Sequence, residues 1–290
     1  MSYKVPKEIA RTGVQTGSTK ARLSWDKALV AGFLAGAYIA IAGLLAIIVS
    51  AGMPKEWGGL PTFVTGAVFS LGLILVVVAG SELLTGNMAL VPLAAMKGRA
   101  SLRKLAENWA FVLLGNLVGA IFVAWFLGIQ TGVLTVPDAL ERAAAIAHKK
   151  GVEESEWQIF TRAVGCNWLV CLAVWMALAA EDIAGKILAI FFPIMAFVAL
   201  GFDHVVANMF FLPAAIFADV PGIDWGDAVH NWLFAFLGNA VGASVFVAAT
   251  YWYLYAHELE EEPGDTPSGA PEKAGHEDGG TSRRGAEVVR

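Results

Sequence analysis

Long apolar runs alternate with short polar stretches along most of this chain. Six of the runs reach the roughly 20 residues that a helix needs to cross a bilayer. They predict membrane-spanning helices at about 28–50, 60–80, 108–128, 160–180, 187–217 and 231–255. The charged connection between the third and fourth spans includes DALERAAAIAHKK, which is typical of a short amphipathic helix. The pattern therefore predicts an all-α polytopic membrane protein.

Two of the apolar segments are interrupted by polar residues. The second run leads directly into SELLTGNMALVP (81–92), and the fifth contains GFDHVVANMFFLP (201–213). Irregular backbone and ionisable side chains at membrane depth are tolerated only where protein or a water-filled cavity covers them. The two breaks therefore predict either buried structural pairs or the lining of a path.

The two breaks share one residue spacing. In each, an acid is followed five residues later by Asn-Met: Glu82 by Asn87, and Asp203 by Asn208. A proline follows five residues after each asparagine. Downstream of the breaks, NWAFVLLGNLVGA and NWLFAFLGNAVGA align in register. The offsets of 121 and 123 residues indicate one internal duplication with a small insertion.

Each copy of the repeat carries three spans, at about 28–128 and 160–255. An odd number of spans inserts the copies in opposite orientation, so we predict an inverted three-plus-three repeat with broken helices 2 and 5. Kinks caused by Pro or Gly alone are an alternative, but they do not require matched acids and asparagines. The copies differ in one respect, because His204 in the second stands opposite Leu83 in the first.

Composition and charge agree with a membrane protein. Hydrophobic residues make up 57% of the 290 residues and charged residues 16%, which is too apolar for a typical soluble domain. Six Lys or Arg precede the first span and four lie between the second and third. The positive-inside rule then predicts cytoplasmic termini in the cytoplasmic (inner) membrane. We predict an N-terminal segment at 1–27, a channel domain at 28–256 and a disordered cytoplasmic tail at 257–290.

Little in the sequence favours enzyme chemistry. Cys166 and Cys171 are five residues apart, face different sides of a helix and are interpreted as packing residues. A membrane-embedded enzyme or sensor would need a metal or nucleophile set, and a single intramembrane histidine does not provide one. We therefore expect no metal, no cofactor, no enzymatic activity and no nucleic-acid partner.

Four segments resemble the formate/nitrite transporter family. They are FSLGLILVVVAGSELLTGN (69–87), KLAENWAFVLLGNLVGA (104–120), CNWLVCLAVWMA (166–177) and FVALGFDHVVANMFFLP (197–213). With their helices they cover about 27–255. The resemblance implies a homopentamer of six-helix protomers, an aquaporin-like helix arrangement and a separate pore in each protomer.

The resemblance also implies roles for individual residues. It places pore constrictions at Phe69, Leu73 and Phe197, a gating loop that begins with Leu83, Leu84 and Thr85, and midplane polar contacts at Asn167 and His204. Formate channels commonly have Phe where this chain has Leu84. The family's basic vestibule residue aligns with Gly151, and either neighbour, Lys149 or Lys150, could supply it.

The predicted chemistry concerns the cost of moving an anion through a dry constriction. Dehydrating an anion in an apolar medium costs many kcal/mol, and protonation removes that cost. His204, which can titrate near neutral pH, could protonate or polarise the anion between two hydrophobic slits, with Thr85 and Asn167 offering hydrogen bonds. A structural pair between His204 and Asp203 is the alternative.

These observations predict passive or proton-coupled transport of small monovalent anions, with formate first and nitrite or hydrosulfide as alternatives. The expected partners are that anion, protons and the lipid bilayer. A neutral-solute or water channel is a second class that the inverted repeat also fits. Glu82, Asn87, Asp203 and Asn208 are expected to hold the helix breaks, with Asp203 accepting backbone N–H bonds.

Overall fold

The computed structural model of this protein describes residues 3–259. The predicted disordered tail lies outside the described residues apart from positions 257–259. Within the described range the chain forms ten α-helices joined by short turns. In chain order they are α1 Pro6–Ala21, α2 Trp25–Ser50, α3 Leu60–Gly80, α4 Leu84–Met96, α5 Leu102–Ile129, α6 Pro137–His148, α7 Glu156–Ala179, α8 Ile183–Ala199, α9 Val205–Phe217 and α10 Trp225–Ala256. A π-helical turn at Lys149–Glu153 extends α6.

The helices match the predicted apolar runs. Among the described residues, five helices are long and apolar enough to cross a membrane, namely α2, α3, α5, α7 and α10. The fifth predicted span is divided into α8 with 17 residues and α9 with 13, and α3 is likewise separated from the 13-residue α4. The prediction of an all-α, polytopic fold is therefore confirmed. The opposite membrane orientation of the two halves stays a prediction.

A glycine in the left-handed conformation ends the helix before each break. Gly80 has φ of 82° and Gly201 has φ of 71°, values that side-chain-bearing residues rarely adopt. The next N–H group then reaches back five residues, from Ser81 to Val76 O and from Phe202 to Phe197 O, both at 3.0 Å. This is the hydrogen bond of a Schellman helix end. Both breaks are therefore built in the same way.

Small residues let two helix pairs approach very closely. A Cβ atom on Gly119 of α5 would lie 2.1 Å from Phe33 O of α2. The repeat-related Gly242 of α10 would place its Cβ atom 2.3 Å from Val164 O of α7. Side chains at these positions would push the helices apart, so glycine is required. The close approach lets a neighbouring asparagine on each helix reach the backbone of a break.

The N-terminal segment contributes a helix that hydropathy does not reveal. We predict only a polar segment at 1–27, whereas the structure forms amphipathic α1 across most of it. Its apolar face, including Ile9 and Val14, is buried. Gly17 lies so close to α4 that a Cβ atom would sit 1.9 Å from Leu90 O. Because α1 is stabilised by this packing and not by a long apolar run, periodicity is its only signal in the sequence.

Candidate functional site

Three cavities meet at the two helix breaks. The first, here called the α1 vestibule, has a volume of about 890 Å³ and is lined by residues of α1, α2, α3 and α4. The second, the α6 vestibule, has a volume of about 250 Å³ and is lined by α3, α6, α8 and α9. Between them lies a central cavity of about 10 Å³, which holds about one water molecule.

Shared lining residues separate the cavities. Leu73 and Leu83 line both the α1 vestibule and the central cavity. Phe69, Phe197 and His204 line both the central cavity and the α6 vestibule. All five side chains are buried, so each vestibule is closed from the central cavity by a layer of side chains. The remaining lining of the central cavity is Ile39, Val170 and Ile194.

The barrier next to the α6 vestibule is aromatic. The rings of Phe69 and Phe197 meet edge to face at 6.0 Å, and Phe197 stacks on His204 at 5.9 Å. Phe211 also stacks on Phe69 at 6.4 Å. Aromatic pairs in these geometries add stability beyond the area they bury. The ring of His204 is therefore held as part of a packed wall.

His204 has two hydrogen-bond partners, one for each ring nitrogen. It is the residue before α9, and its Nδ1 accepts the N–H of Ala207 at 3.0 Å. Its Nε2 lies 2.9 Å from the hydroxyl oxygen of Thr85. Because Nδ1 is an acceptor, the proton of the neutral ring is on Nε2, which donates. No hydrogen bond among the described residues joins the His204 ring to Asp203, so the structural pair considered above is not formed.

Two buried asparagines support the breaks in matching ways. Asn116 of α5 accepts the N–H of Leu84 at 2.9 Å through Oδ1, and Asn239 of α10 accepts that of Val205 at 2.9 Å. Each amide also donates twice, to one backbone carbonyl in its break and to one on a neighbouring helix; the acceptors are Glu82 O and Gly32 O of α2 for Asn116, and Asp203 O and Ala163 O of α7 for Asn239. The aligned NWAFVLLGNLVGA and NWLFAFLGNAVGA motifs contain both asparagines, so the repeat was the signal that could have identified them.

Each break carries a carboxylate that a lysine neutralises. Asp203 Oδ1 accepts from Lys150 Nζ at 2.7 Å and from Asn208 Nδ2 at 2.9 Å. The prediction that Asp203 accepts backbone N–H groups is wrong. The free N–H groups at the start of α9 are already bound by Asn239 and His204, so the carboxylate is left to balance a lysine.

The first break repeats this arrangement. Glu82 accepts from Lys20 Nζ at 2.8 Å and from Asn87 Nδ2 at 2.8 Å. Asn87 donates further to Asn108, whose amide donates to Lys20 O, and Asn208 does the same through Asn231 to Lys150 O. Lys20 was not predicted as a site residue, because it lies in the segment interpreted as a polar terminus.

Asn167 and Leu84 take different positions from those the resemblance implies. The two amide hydrogens of Asn167 donate to Thr85 O at 3.2 Å and Asn239 O at 2.8 Å. Asn167 therefore ties α7 to the start of α4 and to α10, and has no free N–H for a solute. Leu84 is fully buried at the start of α4 and is not among the lining residues of these three cavities. Its neighbour Leu83 faces the central cavity instead.

The α6 vestibule is positively charged. Arg142, Lys149 and Lys150 all line it, and Lys150 is paired with Asp203. Burial, followed by the nearby charges of Arg162 and Lys150, lowers the pKa of Lys149 below its ordinary value. Lys149 has no ion pair or side-chain hydrogen bond within the described residues. Of the two lysines considered for the vestibule, Lys149 is thus the one whose charge is available to a solute.

The fold and site define an all-helical membrane protein in which two vestibules and a central cavity are separated by two layers of buried side chains. A family model for formate/nitrite transporters matches residues 7–253. The chain is 48% identical to the probable formate transporter of Methanothermobacter thermautotrophicus, covering 89% of this chain and 99% of the relative. It is 42% identical to the formate channel BtFdhC of Bacillus thuringiensis, covering 88% and 97%.

A solved pentameric formate channel with formate bound is also similar, with a TM-score of 0.70, 31% identity, and coverage of 80% of this chain and 98% of that structure. The chain belongs to the formate/nitrite transporter family. It is accordingly a multi-pass membrane protein of a family of transporters and channels.

Proposed function

We propose that this protein transports small monovalent anions, above all formate, through the path formed by the two vestibules and the central cavity. One observation carries the proposal: His204 is the only polar side chain among the described residues that line the apolar central cavity. A path of this kind rejects hydrated and multivalent ions but admits a small solute that keeps one hydrogen bond. The formate channels among its relatives support formate as the first candidate.

In the proposed mechanism, His204 acts as a neutral hydrogen-bond donor. Its Nδ1 lone pair caps α9, so taking up a second proton there would cost the helix its cap. Its Nε2–H can turn from Thr85 to an oxygen of the solute in the central cavity. The proton that neutralises formate then comes from water in a vestibule, giving formic acid, which crosses the apolar barriers without the cost of dehydrating an anion.

The cations of the α6 vestibule have the complementary role of attracting the anion. A cleft lined by charges of one sign raises the local concentration of counter-ions. Arg142 and Lys149 form no ion pair with a carboxylate among the described residues, so they can act in this way. This charge also favours an anion channel over a neutral-solute or water channel, which would gain nothing from it.

Nitrite is the second candidate, because it has the same charge and a similar bent arrangement of two oxygens. Hydrosulfide has the same charge but no oxygen to accept the His204 hydrogen bond. We therefore propose the order formate, nitrite, hydrosulfide.

We further propose a homopentamer in the cytoplasmic membrane with both termini in the cytoplasm. The solved pentameric channel is the support for the assembly. Exposed apolar side chains on α5 and α10, such as Leu114, Val118, Leu233 and Leu237, supply surface for lipid or neighbouring subunits. The excess of basic residues on the side of the termini is the support for the orientation.

The test is flux into vesicles that contain the purified protein. Formate, nitrite, hydrosulfide and acetate are compared at two pH values, with protein-free vesicles as the baseline and glycerol swelling as the neutral-solute control. We expect formate flux well above baseline and faster at the lower pH, with no glycerol swelling. Glycerol swelling without formate flux would refute the proposal.

A further inference from the structure

The α6 vestibule contains charge that the fold does not need. The pairs Lys20–Glu82 and Lys150–Asp203 are equivalent in the two halves and neutralise the two breaks. At the same offset of 130 residues that relates those lysines, Arg142 corresponds to Thr12 and Lys149 corresponds to Thr19. The first half holds its break without cations at these positions, so Arg142 and Lys149 have no cationic counterpart in it.

Both cations lie on one face of α6 toward the cavity. Arg142, Ala145, Ile146 and Lys149 follow the i, i+3, i+4, i+7 spacing of one helix face, and all four line the α6 vestibule. The two cations are separated by two helical turns, about 10 Å along the axis. The apolar side chains of Ala145 and Ile146 lie between them. The lining therefore has two positive ends joined by an apolar middle.

Arg142 is held in place with part of its donor capacity unused. Its Nε donates to the hydroxyl of Ser50 at 3.0 Å, and that hydroxyl donates to Ala46 O at 2.7 Å. Within the described residues no ion pair joins Arg142 to a carboxylate, and no hydrogen bond uses its two terminal nitrogens. A half-buried guanidinium without a counter-charge is unfavourable, and its planar fork matches the two oxygens of a carboxylate.

Lys149 reaches the second break from the other end of this face. A Cβ atom built on Gly201 would lie 3.3 Å from Lys149 Nζ, so the ammonium group is next to the backbone turn before His204. The next residue, Lys150, forms an ion pair with Asp203. The available charge of Lys149 therefore lies nearer to the aromatic barrier than that of Arg142.

We propose that the α6 vestibule is a carboxylate-binding site in which Arg142 binds one carboxylate and Lys149 a second. The inference rests on the proposed function: a monocarboxylate substrate binds at Arg142 before it reaches the barrier. A short dicarboxylate such as succinate spans both cations and its methylene groups contact the apolar middle. Because it carries two charges it does not cross the barrier, and it blocks the path from this side.

The first experiment measures formate flux in vesicles with succinate or propionate added on one side and then the other. Succinate is expected to inhibit from the α6 side alone, and much more strongly than propionate, which lacks the second carboxylate. Losing one charge-assisted bidentate contact predicts an increase of about tenfold in the inhibition constant for Arg142→Gln. Arg142→Lys keeps the positive charge but loses the planar guanidinium. Its inhibition constant for succinate is expected to lie between those of wild type and Arg142→Gln. Arg103→Gln, an exposed arginine outside the vestibule lining, is the matched control.

The second experiment measures succinate binding to detergent-purified protein by calorimetry, without any transport. Lys149→Gln is included because Lys149 makes no side-chain hydrogen bond within the described residues, so this variant should fold even if Arg142→Gln does not. Each single variant is expected to weaken succinate binding. The double variant is expected to lose less binding free energy than the sum of the two single losses, because one succinate molecule contacts both cations. Inhibition or binding equal in wild type, Arg142→Gln and Lys149→Gln would overturn the site. Failure of formate flux with intact succinate binding would instead overturn the proposed function.

Discussion

Replacing His204 by Asn separates its capping role from its role toward the solute. Asn is a favoured residue before a helix and can accept the Ala207 N–H, whereas Ala cannot. His204→Ala therefore removes the cap, the hydrogen bond to Thr85 and the ring that stacks on Phe197. We expect it to lower the free energy of unfolding by about 3 kcal/mol, and His204→Asn by about 1 kcal/mol less than that.

Transport is expected to respond differently. Both variants lose the Nε2–H donor of the central cavity, and a hydrogen bond to a polar group in a dry site contributes about 1.5–3 kcal/mol. Formate flux should therefore fall by about tenfold to a hundredfold in both variants, although their stabilities differ. Because neutral His204 does not supply the proton, the remaining flux should keep the pH dependence of wild type.

The assays are formate flux in vesicles over a range of pH and thermal unfolding of the detergent-purified protein. Thr85→Val, which removes the hydroxyl but keeps the shape, serves as a matched variant on the other side of the hydrogen bond. Wild-type flux in His204→Asn would refute the donor role. A pH transition near neutrality that disappears in His204→Asn would refute the neutral state and favour His204 as the proton donor.

Three further predictions concern the supports of the site. Asn239→Ala leaves the Val205 N–H without its partner, and we expect a loss of about 2–4 kcal/mol in unfolding free energy, measured by thermal unfolding beside Asn116→Ala. Lys150→Met leaves the Asp203 carboxylate buried and unpaired, so a loss of about 3–5 kcal/mol is expected, with recovery when Asp203→Asn is added. Lys149 loses its charge as the pH rises through its lowered pKa, so the KM for formate should increase at a lower pH than it would with a lysine of ordinary pKa. Lys149→Arg, which stays charged, should move that increase to higher pH.

Each of these predictions has its own contrary result. An Asn239→Ala protein as stable as wild type would mean that water or another group binds the freed N–H. Failure of Asp203→Asn to rescue Lys150→Met would mean that the lysine packs and does not neutralise. A KM for formate that is the same in Lys149→Arg and wild type at alkaline pH would remove Lys149 from anion capture.

The positions of the helix breaks could be predicted from neighbouring residues, but the partners of their acids could not. The polar segments at 81–92 and 201–213 with their matched acids predicted where α3 and α8 end, because helix termination depends on a few neighbouring residues. The same motifs did not predict what binds the acids. Lys20 lies 62 residues before Glu82, and Lys150 lies 53 residues before Asp203. Both lysines are on amphipathic helices whose position depends on packing.

The partners of the Asn167 and Asn239 amides could not be predicted from neighbouring residues either. An asparagine within an apolar helix predicts a polar partner but does not say whether that partner is a solute or the backbone. In the structure every amide hydrogen of these two residues is bound by a carbonyl of a neighbouring segment. Arg142 is the opposite case, since no motif in the sequence singled it out, and yet it lines the α6 vestibule.

The sequence by itself determined the helical spans, the duplicated breaks and the family, because apolar length and motif spacing are local properties of the chain. Only the tertiary structure decided which polar groups meet. It placed His204 against Thr85, 119 residues away, and left Arg142 and Lys149 facing a cavity without a direct ion pair to any carboxylate of the described residues. The physical reason is that hydrogen bonds and ion pairs act over about 3 Å. Which residues come within that distance depends on how the two halves pack.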